Sequence, residues 1–321
     1  MRIAILGKWH RYPSYYLHGM LEGFIRNGHQ AMAIEFIDAG LSMVETALRI
    51  FKPNLVFCHM LFSDEGNKSD DKIELLLRLK KSLGFRVYHQ LGDPRLLPRW
   101  KKEVEGGLKD VLDGILIAHK EWEAFSSAGV QLIYFPYGTL KMDFQELGDI
   151  KYKLVFMGTY PSDSWLYQKR TRFLTRLKEY DLITFPSPDQ DNTTFITSEI
   201  ARRTAAFVNI LGDNTVKGFL SLRPFQFIGA GCLSFQMRLD EIDDIFIDKE
   251  HHLVFDDYDE NQVMDLYRYY CEKKRSEGEK IKRQGYAYCQ EFHNYQVRTK
   301  DLLEVLDGKR EKVRYKLEDF K

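Results

Sequence analysis

Apolar residues along this chain fall into short continuous runs, separated by stretches in which they recur every three or four positions. The first run, Arg2 to Leu6, ends at Gly7 and reads as a buried strand. From Tyr15 to Asn27 the apolar residues Tyr16, Leu17, Met20, Leu21, Phe24 and Ile25 keep helical spacing, and Gly28 closes the helix. The same logic predicts a strand over Ala31 to Ile37, a helix over Met43 to Phe51 and a strand over Leu55 to His59. A helix over Asp71 to Leu83 follows, stopped by Gly84, then strands at Phe85 to Gln90, Gly114 to Ala118 and Gln131 to Pro136. Strands alternating with helices form parallel βαβ units, so this half is a doubly wound α/β sheet.

The alternation then starts afresh. Lys153 to Met157 is an apolar strand ending at Gly158, followed by a helix from about Tyr167 to Tyr180 and a strand at Leu182 to Phe185. Ser198 to Thr204 reads as a short helix, Ala206 to Leu211 as a strand, and Leu222 to Ile228 as a helix stopped by Gly229-Ala230-Gly231. Cys232 to Gln236 is the next strand, and Asp259 to Lys274 and Glu277 to Phe292 are long amphipathic helices. The restart near Lys151 marks a domain boundary. Residues 1–150 form the first domain, with Tyr137 to Ile150 as its linker, and residues 151–321 the second. The expected architecture is two Rossmann-like halves facing one another across an interdomain cleft, since open parallel sheets bind ligands at the carboxyl ends of their strands.

Composition narrows the function. A length of 321 residues fits two domains, and 44% hydrophobic with 29% charged residues excludes a largely disordered chain. No apolar run reaches 18 residues, and the opening run turns polar after six, too short for a signal peptide, so a cytoplasmic protein without a membrane span is expected. Lys plus Arg and Asp plus Glu both number 47, so no bulk positive field recruits nucleic acid. The four cysteines are far apart, without a C-x-x-C pair. The first strand is followed by Gly7-Lys8-Trp9-His10-Arg11, which lacks the G-x-G-x-x-G of dinucleotide binding, and no P-loop or H-E-x-x-H is present. His251-His252 reads as a surface pair. Asp189-Gln190-Asp191 has the letters of a metal-binding triplet but lies in a Pro-rich loop, so no metal is expected.

The second half carries a recognisable signature. Ser221 to Ser234 resembles the "slR-x-fE-x-x-a-x-G" stretch of CgeB-like (spore-maturation-protein-like) glycosyltransferases, which have the GT-B fold. Lys153 to Gly158 is similar to that family's strand opening the donor domain, and Lys169-Arg170 to Leu177 to its "R-x-x-f-l-x-x-L" helix. Phe255 to Glu260 resembles its "f-x-d-x-d-E-l" turn, and Gly285 to Leu303 its closing helix, with His293, Tyr295 and Arg298 in register. In the first half, Gly28-His29, Lys52 to Val56, Gly92-Asp93-Pro94 and Phe135 to Gly138 match further landmarks in the same order.

The resemblance implies a sugar transfer from a nucleotide-diphosphate sugar, with retention of configuration, without a metal and without a resident cofactor. A diphosphate is met by helix amino termini and by arginine's bidentate fork. Donor-side candidates are therefore Gly158, Thr159, Lys169, Arg170 and Arg223, although Arg223 alternatively closes its helix with a salt bridge. Gln226 stands where the family uses a glutamate for the ribose hydroxyls, which removes charge assistance from that contact. Gly229 and Gly231 either let the backbone approach the donor or simply cap the helix. On the acceptor side, His89 and Asp93 follow one strand, His10 and Arg11 another, and His119 a third. Asp93 is the expected base, or else a turn-former ahead of Pro94. The acceptor is a glycan, a small molecule, a protein or a modified nucleic-acid base. The rival readings are a sugar-nucleotide epimerase of the same fold, and an inactive sugar-binding or structural protein, which Gln226 favours.

Overall fold

The computed structural model describes residues 1–9, 15–59, 69–91, 108–118, 129–158, 160–161, 167–185, 198–211, 220–239 and 242–321. It divides into two compact units. Unit 1 is Met1–Pro136 with Arg298–Val313, and unit 2 is Tyr137–Val297 with Arg314–Lys321.

Unit 1 is built on a parallel six-stranded sheet of β1 (Arg2–Gly7), β2 (Gln30–Glu35), β3 (Leu55–His59), β4 (Arg86–Leu91), β5 (Gly114–Ile117) and β6 (Gln131–Tyr134). The helices are α1 (Tyr15–Arg26), α2 (Leu41–Phe51) and α3 (Ser69–Leu83). Strands covered on both faces must be apolar throughout. Accordingly, residues Ile3 to Gly7 of β1 and all four residues of β5 are buried. The order is β2-β1-β3-β4-β5-β6, so the direction of winding reverses between β1 and β3. That reversal opens a crevice at the carboxyl ends of those two strands.

Unit 2 repeats the plan with a parallel five-stranded sheet ordered β11-β10-β9-β7-β8. Its strands are β7 (Tyr152–Met157), β8 (Leu182–Phe185), β9 (Thr204–Asn209), β10 (Ser234–Met237) and β11 (Leu253–Phe255). Here the winding reverses between β7 and β9. The helices are α4 (Gln168–Leu177), α5 (Ser198–Arg203), α6 (Leu222–Gly229), α7 (Glu260–Tyr267), α8 (Arg275–Phe292) and α9 (Tyr295–Leu306). Phe156, Phe173, Phe225, Phe235 and Phe246 belong to one continuous core beneath them.

Several sequence expectations need correction. The closing helix expected over Gly285 to Leu303 is broken: α8 ends at Phe292, and Asn294 starts α9 by accepting the Val297 N–H at 3.0 Å on its Oδ1. Asparagine is a strong N-cap because its side chain satisfies an orphan amide of the first turn. The helix expected over Asp259 to Lys274 changes at Arg268 into a wider π turn that runs to Lys273. Phe255, read as the start of a turn, ends a short strand that extends the sheet. His251 and His252 are buried rather than on the surface, the first stacked on Tyr288 at 4.1 Å between ring centroids.

The stretch 137–150 lies in unit 2, bound to its helices. Thr139 donates its N–H to His293 O at 2.8 Å and accepts from Tyr295 N at 3.0 Å. Gln290 donates its amide to the carbonyls of Leu140 and Gly229, and the Tyr286 hydroxyl donates to Met142 O.

Candidate functional site

The reversal point of the second sheet is occupied by one guanidinium. Arg223, half-buried in the first turn of α6, donates from Nη1 to Met157 O at 3.1 Å and from Nη2 to Ile210 O at 3.0 Å. Met157 ends β7 and Ile210 follows β9, so a single planar fork ties together the two strands between which the winding reverses. Two main-chain carbonyls therefore orient it, rather than the helix-closing salt bridge alone that the sequence left open.

Further residues complete the arrangement. Arg170, in the first turn of α4 and only 4% exposed, places its guanidinium 5.5 Å from the centroid of Phe156 and 3.8 Å from that of Tyr167. Arg223 lies 5.3 Å from the same Phe156 ring. A phenyl ring attracts cations through its negative face, so Phe156 gathers two positive groups at the end of β7. Beside them Gly158 has φ +150°, and a Cβ on it would stand 2.7 Å from Arg223 Nη1. Glycine is thus required twice, by conformation and by the closeness of the arginine. Ser221, at the N-cap of α6, makes no capping bond, and its buried hydroxyl has no hydrogen-bond partner among the described residues. Pro224 sits in the same first turn, where a missing N–H costs nothing because those amides lack intrahelical partners. A helix amino terminus, two guanidinium groups and an orphan hydroxyl make an anion-receiving corner.

The other candidates of this half are distributed differently. Gln226 lies one turn after Arg223 and is buried. Lys169 is exposed, although its neighbour Arg170 is not. Gly229 abuts Thr139, whose side chain fills the space a Cβ would need, and Gly231 (φ +76°) abuts the ring of Phe144. Both glycines thus fit α6 to the chain's own 139–145 stretch. Thr159 lies outside the described residues.

In unit 1, His89 is fully enclosed in β4, and burial, reinforced by His59, holds its imidazole well below the ordinary range. His10, Arg11, Asp93 and His119 lie outside the described residues, as do Asp189 and Asp191. Glu35, at the end of β2, takes up the position from which an acidic residue meets a dinucleotide ribose. Here its carboxylate accepts the main-chain N–H groups of Trp9, Ile37 and Asp38 at 2.6, 3.0 and 3.2 Å, in line with the missing glycine motif. Among the described residues no three His, Cys, Asp or Glu side chains gather to hold a metal, and no helix is long and apolar enough to cross a membrane. Burial pushes the thiols of Cys232 and Cys271 up to about 12, so neither is a nucleophile at neutral pH.

Sequence reasoning missed Phe156 and Ser221. Phe156 sits in an apolar run like any core strand, and Ser221 is one of many serines before a helix. Both fall in stretches that resemble the CgeB-like landmarks, yet nothing local marks either for its role.

Comparison with known proteins adds the following. Residues 195–304 match the family described as glycosyl transferase-like, a stretch that includes α6 and Arg223. No curated protein matches the chain in sequence. Among solved structures, an alpha-glucosyltransferase in complex with UDP-glucose and DNA containing an abasic site superposes with a TM-score of 0.68 at 12% identity, covering 96% of this chain and 99% of that one. HepE from Anabaena in complex with UDP-glucose gives a TM-score of 0.61 at 9% identity, over 96% and 100% of the two chains. Sucrose-phosphate synthase from Thermosynechococcus elongatus gives 0.60 at 11% identity, over 96% and 98%. These likenesses identify the fold as GT-B.

Proposed function

We propose that this chain, a glycosyltransferase with the GT-B fold, takes its sugar from a nucleoside diphosphate donor held in unit 2. The observation that carries the reading is the pair of guanidinium groups, Arg223 and Arg170, that share the ring of Phe156 at the sheet's reversal point. A diphosphate there meets Arg223, the amide groups opening α6 and the Ser221 hydroxyl, with Thr159 and Lys169 as further donor-side candidates. As the bond from sugar to diphosphate breaks, negative charge builds on the leaving oxygen, and fixed cations and helix dipoles stabilise it without reorganising. That arrangement supplies what a metal would otherwise supply, so the reading is metal-independent transfer, retaining by resemblance to CgeB-like enzymes. Gln226 would pair with ribose hydroxyls through one accepting and one donating amide group.

On this reading unit 1 binds the acceptor. His89 being enclosed, the proton of the attacking hydroxyl is assigned to Asp93, with His10, Arg11 and His119 as further contacts. UDP-glucose accompanies both HepE and the alpha-glucosyltransferase, which supports uridine as the first nucleotide to try; DNA accompanies the alpha-glucosyltransferase, which keeps a nucleic-acid base among the acceptors.

Calorimetry with UDP tests the donor site. Arg223→Ala should weaken binding by about 2 kcal/mol, roughly thirtyfold in Kd, the scale of lost charge-assisted contacts. Unchanged affinity overturns the assignment. The inactive-binder reading, favoured by Gln226, predicts that UDP-glucose binds and is never cleaved.

A further inference from the structure

We infer that Tyr258 is a positioning residue for the donor corner of unit 2: its hydroxyl fixes the stretch of main chain from which Arg223 takes its orientation. The inference rests on the nucleotide-donor reading only for what Arg223 binds.

Tyr258 lies in the turn between β11 and α7 with φ +52°. Glycine or asparagine adopts that left-handed conformation far more readily than an aromatic residue does. The turn is closed tightly. Asp259 donates its N–H to Asp256 O at 3.1 Å. As the N-cap of α7, its side chain also accepts the N–H groups of Asn261 and Gln262 at 2.9 and 3.2 Å. From the other side, Arg176 of α4 donates to the Tyr258 carbonyl at 3.5 Å and pairs with Glu260 at 2.9 Å. Backbone in a sparsely populated region persists where its surroundings over-determine it, and such positions cluster at functional sites. A tyrosine at this position points to a task for its side chain.

That task shows in two bonds at the end of β9. The Tyr258 hydroxyl donates to Leu211 O at 3.3 Å, and Arg223 Nη2 donates to the preceding carbonyl, Ile210 O, at 3.0 Å. Successive carbonyls are joined through planar peptide units and only two soft torsions, so fixing one restricts rotation of the other. The Tyr258 ring stands edge-on to Phe173 of α4, with centroids 5.8 Å apart, so the hydroxyl is delivered from a packed base. The guanidinium therefore has three fixtures: Met157 O, the ring of Phe156, and a carbonyl that Tyr258 braces. A cation held in place beforehand binds a diphosphate without the cost of ordering it. Tyr258 acts through Arg223 and needs no contact with the donor.

Calorimetry with UDP on wild type, Tyr258→Phe, Arg223→Ala and the double variant tests the inference. Tyr258→Phe keeps the ring and removes only the hydroxyl, so Kd should rise about threefold, toward the lower end of what one hydrogen bond contributes. In the Arg223→Ala background the same change should have no further effect, because the group it positions is gone. A residue that only stabilised the fold would not show that dependence on Arg223. Wild-type affinity in Tyr258→Phe, or an equal loss with and without Arg223, overturns the inference. Urea unfolding of the same four proteins gives a second measurement: the two losses of stability should be less than additive, and additive losses overturn the inference. Wild-type protein that fails to bind UDP would refute the donor reading, and the unfolding cycle then decides whether Tyr258 places Arg223.

Discussion

A Cβ atom on Gly158 would stand 2.7 Å from Nη1 of Arg223 and 3.0 Å from the ring of Phe156. The φ of +150° at that glycine is itself unfavourable for any side chain. Gly158→Ala should therefore push the guanidinium off the Met157 carbonyl, costing about 1–3 kcal/mol of stability. UDP affinity should fall with it. Wild-type melting together with wild-type UDP binding would show that the arginine has another route to its place.

The join between α6 and the 139–145 stretch gives a second expectation. Gly229→Ala drives a methyl group into the Thr139 side chain and should cost about 1–3 kcal/mol by overpacking. Thr139→Gly in the same chain removes the obstructing atoms, so the two losses should be less than additive in urea unfolding. Strict additivity would mean that the two residues do not oppose each other.

Asn294 caps α9, and its Nδ2 also donates to Gln290 O at 2.5 Å. Asn294→Ala should lower the unfolding free energy by about 1 kcal/mol or somewhat more, and Asn294→Asp should retain the capping part. Equal losses in both variants would assign the effect to the Gln290 contact instead.

Acid should weaken the fold well above the carboxylate range. His59 and His252 are buried and neutral, with pKa values pushed down to about 4 and about 3, the latter by burial with help from His251 and Arg238. Unfolded, both titrate near 6.5. Below that pH the unfolded chain takes up protons that the folded chain refuses. Stability is complete above pH 6.5 and falls by ~1.4 kcal/mol per pH unit for a histidine buried as fully as His252. The slope ends near pH 4 for His59 and near pH 3 for His252. Urea midpoints measured between pH 8 and pH 5 check this, and a flat profile contradicts it.

Transfer should survive a chelator. With cations supplied by Arg223 and Arg170, EDTA should leave donor turnover unchanged. Loss of turnover that magnesium or manganese restores would redirect attention to Asp189 and Asp191.

Much of the architecture was legible in the order of residues alone. Apolar runs and helical spacing are local quantities, and a strand buried on both faces has to be apolar wherever it occurs. Those runs announced the parallel sheets, and the restart at Lys151 announced the second one. Arg223 and Gly158 could be singled out because the stretches that carry them resemble CgeB-like landmarks, and such motifs are local too. What the linear chain does not contain is which strand neighbours which. The orders β2-β1-β3 and β9-β7-β8 arise from crossover connections between segments far apart in sequence, and only they make Met157 and Ile210 joint acceptors for one guanidinium. The same holds for Phe156, whose partners Arg170 and Arg223 are separated in sequence by the two strands β8 and β9 and the helix α5. His251-His252 reads in the sequence as a surface pair, yet the fold closes Phe246 and Tyr288 around it. Burial is set by what distant segments bring to a residue, and for that reason only the tertiary structure could decide it.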